Sequence, residues 1–320
     1  MTERPVKGAT LRDVAEAAGV SVWTASNTFS NPERVAEATR ERVLAAADAL
    51  DYAGPNPRAR ILALGQTGMI ALVAPGDSAP LLRDPGAALV AQGLLTECDR
   101  SGSSLVLAGH EGDLAVDGRV FLRWAPTARV RTPAVVVDGT GEGLPAVRCD
   151  AAGAAAELAR VLLDLGHRRI AVIAGPGDDD RLEAAVAVLA GAAQVSVLRT
   201  SGAPWATEAH GEAAARRVLG AHPRPTALMA MSDPVAVGAL DGAVRTGLRV
   251  PQDVSVTGLG DLPGSAERGL TTALIPHRPM GELAGRMLMD RVAGLPPGPE
   301  PPAFPVLLAI RTTTGRVATH

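Results

Sequence analysis

Apolar positions in the first fifty residues recur at helical spacing. Leu11, Val14, Ala15 and Ala18 repeat at three- and four-residue intervals behind Thr10-Leu11-Arg12-Asp13, a capping-box pattern in which the Thr10 hydroxyl takes a free helix amide and Asp13 reaches back. The pattern predicts a helix over 11–18. Gly19 supplies the positive φ that ends it, Val20 is placed to plug the gap between two helices, and Ser21 can cap a second helix over 22–29. Two helices joined by so short a turn have helix-turn-helix geometry, whose second helix fits a DNA major groove about 12 Å wide. A helical hairpin in a larger core is the alternative on this segment alone. A third helix is expected over 37–50, with Val43, Leu44, Ala47 and Leu50 as its buried stripe and an entry at Ala36, which has no side-chain oxygen to cap it. Beyond Tyr52, Asn56 and Pro57 specify the cap and first turn of a helix reaching Leu62, too short to be stable without a partner.

From Thr67 the period changes. Short apolar runs at 69–74, 104–107, 134–137, 170–174, 227–230 and 254–257 alternate with helical patterns at 86–100, 151–165, 182–192, 208–220 and 234–246. This predicts parallel sheets with helices on both faces, and two such α/β lobes with a ligand cleft between them fit in about 250 residues. Gly139-Thr140-Gly141-Glu142-Gly143 lacks the third glycine position of a dinucleotide-binding loop and reads as a strand-to-helix turn.

Composition narrows the function. A chain of 320 residues, 47% hydrophobic, suits two or three globular domains. The net charge of −3 offers no global attraction to nucleic acid, and residues 1–65 hold eight basic and eight acidic side chains, so a DNA partner has to be argued from residue order. Cys98 and Cys149 are too few for a disulfide framework and read as buried thiols. The six histidines form no HExxH-type pair, Lys7 is the sole lysine and no Gly-x-Ser-x-Gly elbow occurs, so neither enzyme chemistry, a metal nor a cofactor is expected. His167, in a Leu-Gly-His-Arg-Arg turn before a strand, reads as structural. No apolar run is long enough to span a membrane and the first twenty residues lack a leader pattern, which predicts a cytoplasmic protein.

The stretch TLRDVAEAAGVSVWTASNTFSNPERVAEATRERVLAAADALDY, followed by PNPRARIL, resembles the headpiece and hinge of the lactose-repressor/galactose-repressor family of bacterial transcription regulators. LLDLGHRRIAVIAGP, RPTALMAMSDPVAVGALDGAVRTGLRVPQDVSVTGLGDLP and LTTALIPHRPMGELA resemble its effector-binding core, which is similar to periplasmic sugar-binding proteins. The resemblance implies an all-α helix-turn-helix headpiece with hinge helix over 1–64 and a two-lobed α/β effector and dimerisation domain over 68–320. One lobe would take about 68–147 and 276–304, the other about 148–274 and 305–320. It implies a homodimer on a pseudo-palindromic operator in double-stranded DNA, probed by a small-molecule effector. Val22, Trp23 and Asn27 would face base edges, Thr10, Ser21, Thr24 and Ser26 would lie near phosphates, and Arg58 and Leu62 belong to a hinge whose Leu62 wedges a central base step in the minor groove. Arg181, Trp205, Asp233 and Asp261 match effector contacts: an arginine fork, a stacking indole and two carboxylates suit a sugar or nucleoside.

The chain departs from the family in ways that matter chemically. Asn27 stands where the family usually carries Arg, and Asn suits adenine where Arg suits guanine, so a changed operator base is expected. Gly260 replaces a ligand-facing carboxylate, no aromatic occurs at 74–80, and the space between Leu107 and Val120 is short for the helix expected there. A regulator without an effector, or a small-molecule-binding protein, is the alternative. The last ten residues carry no leucine heptads, so no tetramerisation helix is expected.

Overall fold

The computed structural model describes residues 9–30, 32–52, 66–74, 83–109, 114–123, 130–139, 141, 143–175, 179–200 and 207–317. The chain divides into two compact units, Met1–Gly68 and Met69–His320. The expected hinge helix over 56–62, with Arg58 and Leu62, lies outside the described residues, as does Trp205.

The first unit is built on three helices, α1 (Leu11–Ala17), α2 (Val22–Ser30) and α3 (Glu37–Ala49), with a single 3₁₀ turn at Pro32–Arg34. The Thr10/Asp13 capping box is present, Gly19 has φ +62°, and Ala36 makes no side-chain cap. Val14, Ala15, Ala25, Val43 and Ala47 form the core, with Val20 packed against it and the Phe29 ring set edge-on to Tyr52 at 5.9 Å. Leu44 and Leu50 are exposed, which corrects the stripe expected for α3. Val43, Ala46 and Ala47 carry it instead, because i, i+3 and i+4 share one face and residue 44 is turned about 100° away.

The second unit holds two parallel sheets. The first lobe has the order β2-β1-β3-β4-β5, from β1 (Met69–Val73), β2 (Ser104–Ala108), β3 (Gly118–Leu122), β4 (Ala134–Val137) and β5 (Ala146–Val147). The second has the order β7-β6-β8-β9, from β6 (Arg169–Ala174), β7 (Gln194–Arg199), β8 (Ala227–Ala230) and β9 (Ser255–Thr257). Continuous Val/Ile/Ala-rich runs suit β1, β4 and β6, which are buried along nearly their whole length, whereas the edge strands β2 and β7 stay partly exposed. Helices α4 (Pro85–Ser101) and α9 (His277–Val292) pack on each other in the first lobe, and α5 (Ala151–Asp164), α6 (Asp179–Leu189), α7 (Glu208–Leu219) and α8 (Asp233–Arg245) belong to the second. No helix occurs among the described residues between β2 and β3. Helix α9, arriving from much later in the chain, covers β3, β4 and β5 in its place.

An antiparallel pair, β10 (Thr272–Leu274) and β11 (Leu307–Ala309), and an isolated bridge between Cys149 and Phe304 mark where the chain passes between lobes. The glycine-rich 139–143 segment joins β4 to β5, a strand-to-strand connection and not the strand-to-helix turn expected. Strands β3, β5, β7, β10 and β11 and helix α9 add to the elements read from the sequence. Both cysteines are free, and burial pushes their thiols up to about 11 at Cys98 and about 12 at Cys149.

Candidate nucleic-acid interface and inter-lobe site

Helix α2 exposes an unusual pair at its start. Trp23 is 70% and Val22 45% exposed on a short helix whose other face packs into the core. Ser21 Oγ accepts from the Thr24 amide at 3.0 Å and lies 2.8 Å from Thr24 Oγ1, so the Ser21 hydroxyl caps the helix and the Thr24 hydroxyl rests on it beside that apolar pair. Thr10 is exposed at the N-terminus of α1, with its hydroxyl on Asp13 at 2.7 Å. Hydroxyls and free amides at helix starts are suited to phosphate oxygens. Asn27 departs from the expected arrangement. It is 8% exposed and its amide donates to the Trp23 carbonyl at 3.0 Å, so the side chain is folded onto its own helix instead of standing with Val22 and Trp23. Ser26 is half-buried.

In the second unit the chemistry gathers at the carboxyl ends of the strands. The strand order of the first lobe reverses direction between β1 and β3, and ligands in open α/β sheets collect at such switch points. Arg123 follows β3, Asp138 follows β4, Asp84 caps α4, and His277 opens α9. Arg123 Nη1 lies 2.6 Å from Asp84 Oδ2, and its Nε lies 3.5 Å from Asp138 Oδ2. From the second lobe, Arg181 on α6 reaches the same Asp138 oxygen at 2.8 Å, and both side chains of that pair are largely shielded, at 14% and 13% exposed. One carboxylate therefore joins two arginines across the lobes. Burial alone would raise the Asp138 carboxyl, but the Arg181, Arg123 and His277 neighbours outweigh it and hold it below the ordinary carboxylate value. Burial, with Arg123 beside it, lowers His277 to about 4 and keeps the imidazole neutral.

Arg123, Asp138 and Asp261 all have φ near +50°. Non-glycine residues rarely hold this conformation, which costs roughly 1–3 kcal/mol each, and such strain collects at functional rims.

The two carboxylates named from the sequence are occupied within the second lobe. Asp233 is 1% exposed and accepts from the Leu262 amide at 2.8 Å, Ser265 Oγ at 2.6 Å and Thr272 Oγ1 at 2.5 Å. It ties the start of α8 to the 262–272 loop, and burial raises its pKa against those bonds. Asp261 pairs with Arg311 at 2.7 Å. Arg123, Asp138, Asp84 and His277 were not singled out in the sequence. The signal available for Asp138 was its place directly after an all-apolar strand. His167 is a packing residue, its ring between Thr226, Ser255 and the Gly315 carbonyl. Among the described residues no cluster of His, Cys, Asp and Glu is placed to hold a metal, and no helix is long and apolar enough to cross a membrane.

Comparison with known proteins matches residues 10–56 to the family described as bacterial regulatory proteins, lacI family, and residues 159–314 to a periplasmic binding protein-like domain. An HTH-type transcriptional regulator of Mycobacterium tuberculosis is 32% identical over 340 residues, covering 92% of this chain and 95% of the relative. Among solved structures, the lac repressor dimer bound to operator and the anti-inducer ONPF superposes with a TM-score of 0.76 at 26% identity, covering 97% of this chain and all of that one. A transcriptional regulator CelR–cellobiose complex gives 0.66 at 27% identity over 95% of this chain and 99% of that one.

Proposed function

The chain belongs to the lacI family of bacterial regulatory proteins and is a DNA-binding transcriptional regulator, and we propose that it acts in the cytoplasm as a homodimeric repressor on a pseudo-palindromic operator. Residues 1–64 form the headpiece and hinge, and 68–320 the effector and dimerisation unit. The observation that carries the DNA reading is the exposed Val22–Trp23 pair flanked by the Ser21 and Thr24 hydroxyls, the first of which caps the helix. Val22 and Trp23 contact base edges, and Thr10, Ser21, Thr24 and Ser26 lie along phosphates. Arg58 and Leu62 enter the minor groove from the hinge. Asn27 braces the turn of helix under Trp23 and reads no base directly. With equal numbers of acids and bases in the headpiece, affinity comes from placement and from the doubling of contacts in the dimer.

The test is selection from random DNA followed by fluorescence anisotropy across a salt series. Wild type binds one recovered sequence well above scrambled DNA, and Trp23→Ala loses most of that discrimination. Absence of sequence-specific binding at every salt concentration overturns the reading.

The effector is a small polar molecule, carbohydrate- or nucleoside-like, that enters between the lobes and takes Arg181 from Asp138, with Trp205 as its stacking partner. Asp233 and Asp261 shape the rim that holds it. A relative solved with cellobiose supports this class. A ligand at a hundred times its Kd stabilises by about 2.7 kcal/mol, which a melting screen of sugars and nucleosides detects. One observation favours a second reading, regulation without an effector: Arg181, Asp233 and Asp261 each already have a partner inside the protein. A flat screen decides for it.

A further inference from the structure

At the opposite edge of the second lobe, where the parallel strands β6, β8 and β9 begin, lies a depression of about 370 Å³. That volume falls in the range of roughly 300–1,000 Å³ typical of small-molecule sites. Its floor is His167, 2% exposed and fixed by Thr226 Oγ1 and Ser255 Oγ at 3.0 Å each and by the Gly315 carbonyl at 3.1 Å. Leu219 and Pro251 contribute apolar wall. Around the mouth stand three exposed arginines from three separate segments, Arg169 at the start of β6, Arg224 before β8 and Arg316 near the end of the chain, together with His222.

The charges there are unbalanced. Arg169 Nε donates to the Arg224 carbonyl at 3.0 Å, which ties the two segments together and leaves the rest of the Arg169 fork for another partner. The side chains of Arg224 and Arg316 make no hydrogen bond or ion pair of their own among the described residues. Among the described residues, the one carboxylate lining the depression is Asp253, which feels the Arg224 charge but is held by Arg249 through its amide at 2.8 Å, Nε at 2.9 Å and Nη2 at 3.1 Å. Three arginines lining one concave surface concentrate positive potential there, and guanidinium forks are the side chains best suited to a compact oxyanion. The inter-lobe cluster, by contrast, pairs two arginines with two aspartates.

We propose that this depression is a second ligand site, separate from the inter-lobe cleft, that takes the phosphate group of a small phosphorylated metabolite on Arg169, Arg224 and Arg316. A repressor with such a site reads two chemical signals on one chain, one at each end of the second lobe.

Isothermal titration of the full chain with inorganic phosphate, against chloride at matched ionic strength, tests this. Wild type shows saturable binding. Arg224→Ala combined with Arg316→Ala weakens it by about tenfold or more, whereas Arg160→Ala combined with Arg278→Ala, which removes the same charge elsewhere on the unit, leaves it unchanged. Both altered positions in the first variant are exposed, and equal melting temperatures verify its fold. No saturable binding by wild type, undiminished binding by the Arg224/Arg316 variant, or equal weakening by the two variants overturns the proposal.

Discussion

His277 offers the sharpest physical test of the inter-lobe cluster. It opens α9, 4% exposed, in the field of Arg123 and Arg181 on one side and Asp138 and Asp84 on the other. Burial, with Arg123 next in weight, lowers it from 6.5 to about 4, so the folded state resists a proton that the unfolded chain accepts. Stability from this residue is therefore complete above pH 6.5 and is lost as the pH falls from there toward 4. Linkage over that interval gives a loss of about 2 kcal/mol at pH 5, approaching about 3 kcal/mol below pH 4. For a unit of this size that is about 4–8 °C in Tm at pH 5. Scanning calorimetry of wild type and His277→Gln at pH 7.5 and pH 5.0 isolates the effect, because His167 and the carboxylates away from His277 titrate alike in both proteins, and the two arginines keep Asp138 below the ordinary carboxylate value in either. Wild type should lose about 4–8 °C more than the variant on acidification. Equal losses would refute a neutral, buried His277 and with it the charge balance assigned to the cluster.

Three further outcomes follow from named contacts. Asp138→Asn leaves Arg181 and Arg123 facing each other without their shared carboxylate and should cost about 3 kcal/mol. Arg181→Met leaves Asp138 with Arg123 and should cost less, so chemical denaturation giving the reverse order would count against the cross-lobe pairing. Gly281 on α9 sits where a Cβ would run into the Val90 carbonyl of α4, so Gly281→Ala should lose about 2 kcal/mol or more. Gly298→Ala, with open space around it, should stay within about 0.5 kcal/mol in the same melts. Thr10→Ala removes the acceptor for the Asp13 amide, and a cap worth about 1 kcal/mol implies roughly fivefold faster hydrogen exchange at that amide.

The headpiece was legible almost to the residue because its information is local. Thr10, Gly19 and Ser21 are helix punctuation, and punctuation acts within one turn of the chain. The one misjudged stripe, at Leu44 and Leu50, came from choosing among apolar residues without knowing which face meets α1. Helix α9 was missed although Met280, Leu283, Ala284, Met287 and Leu288 keep helical spacing. Strands β7 and β3 were harder, because an edge strand such as Gln194–Arg199 alternates polar with apolar residues and Gly118–Leu122 carries an arginine in its ladder.

The candidate site divides along the same line. The family resemblance nominated Arg181, Trp205, Asp233 and Asp261 as effector contacts, because each falls at a position matching the family pattern. Which atoms those side chains meet was settled by the meeting of segments far apart in sequence: Arg181 with Asp138, Asp233 with Ser265 and Thr272, Asp261 with Arg311. A sequence records helix caps and strand runs directly, since backbone preference is a property of neighbours. The partner of a charge is chosen by topology, and here parallel strands and a chain that passes repeatedly between two lobes bring Arg123, Asp138, Arg181 and His277 to one place.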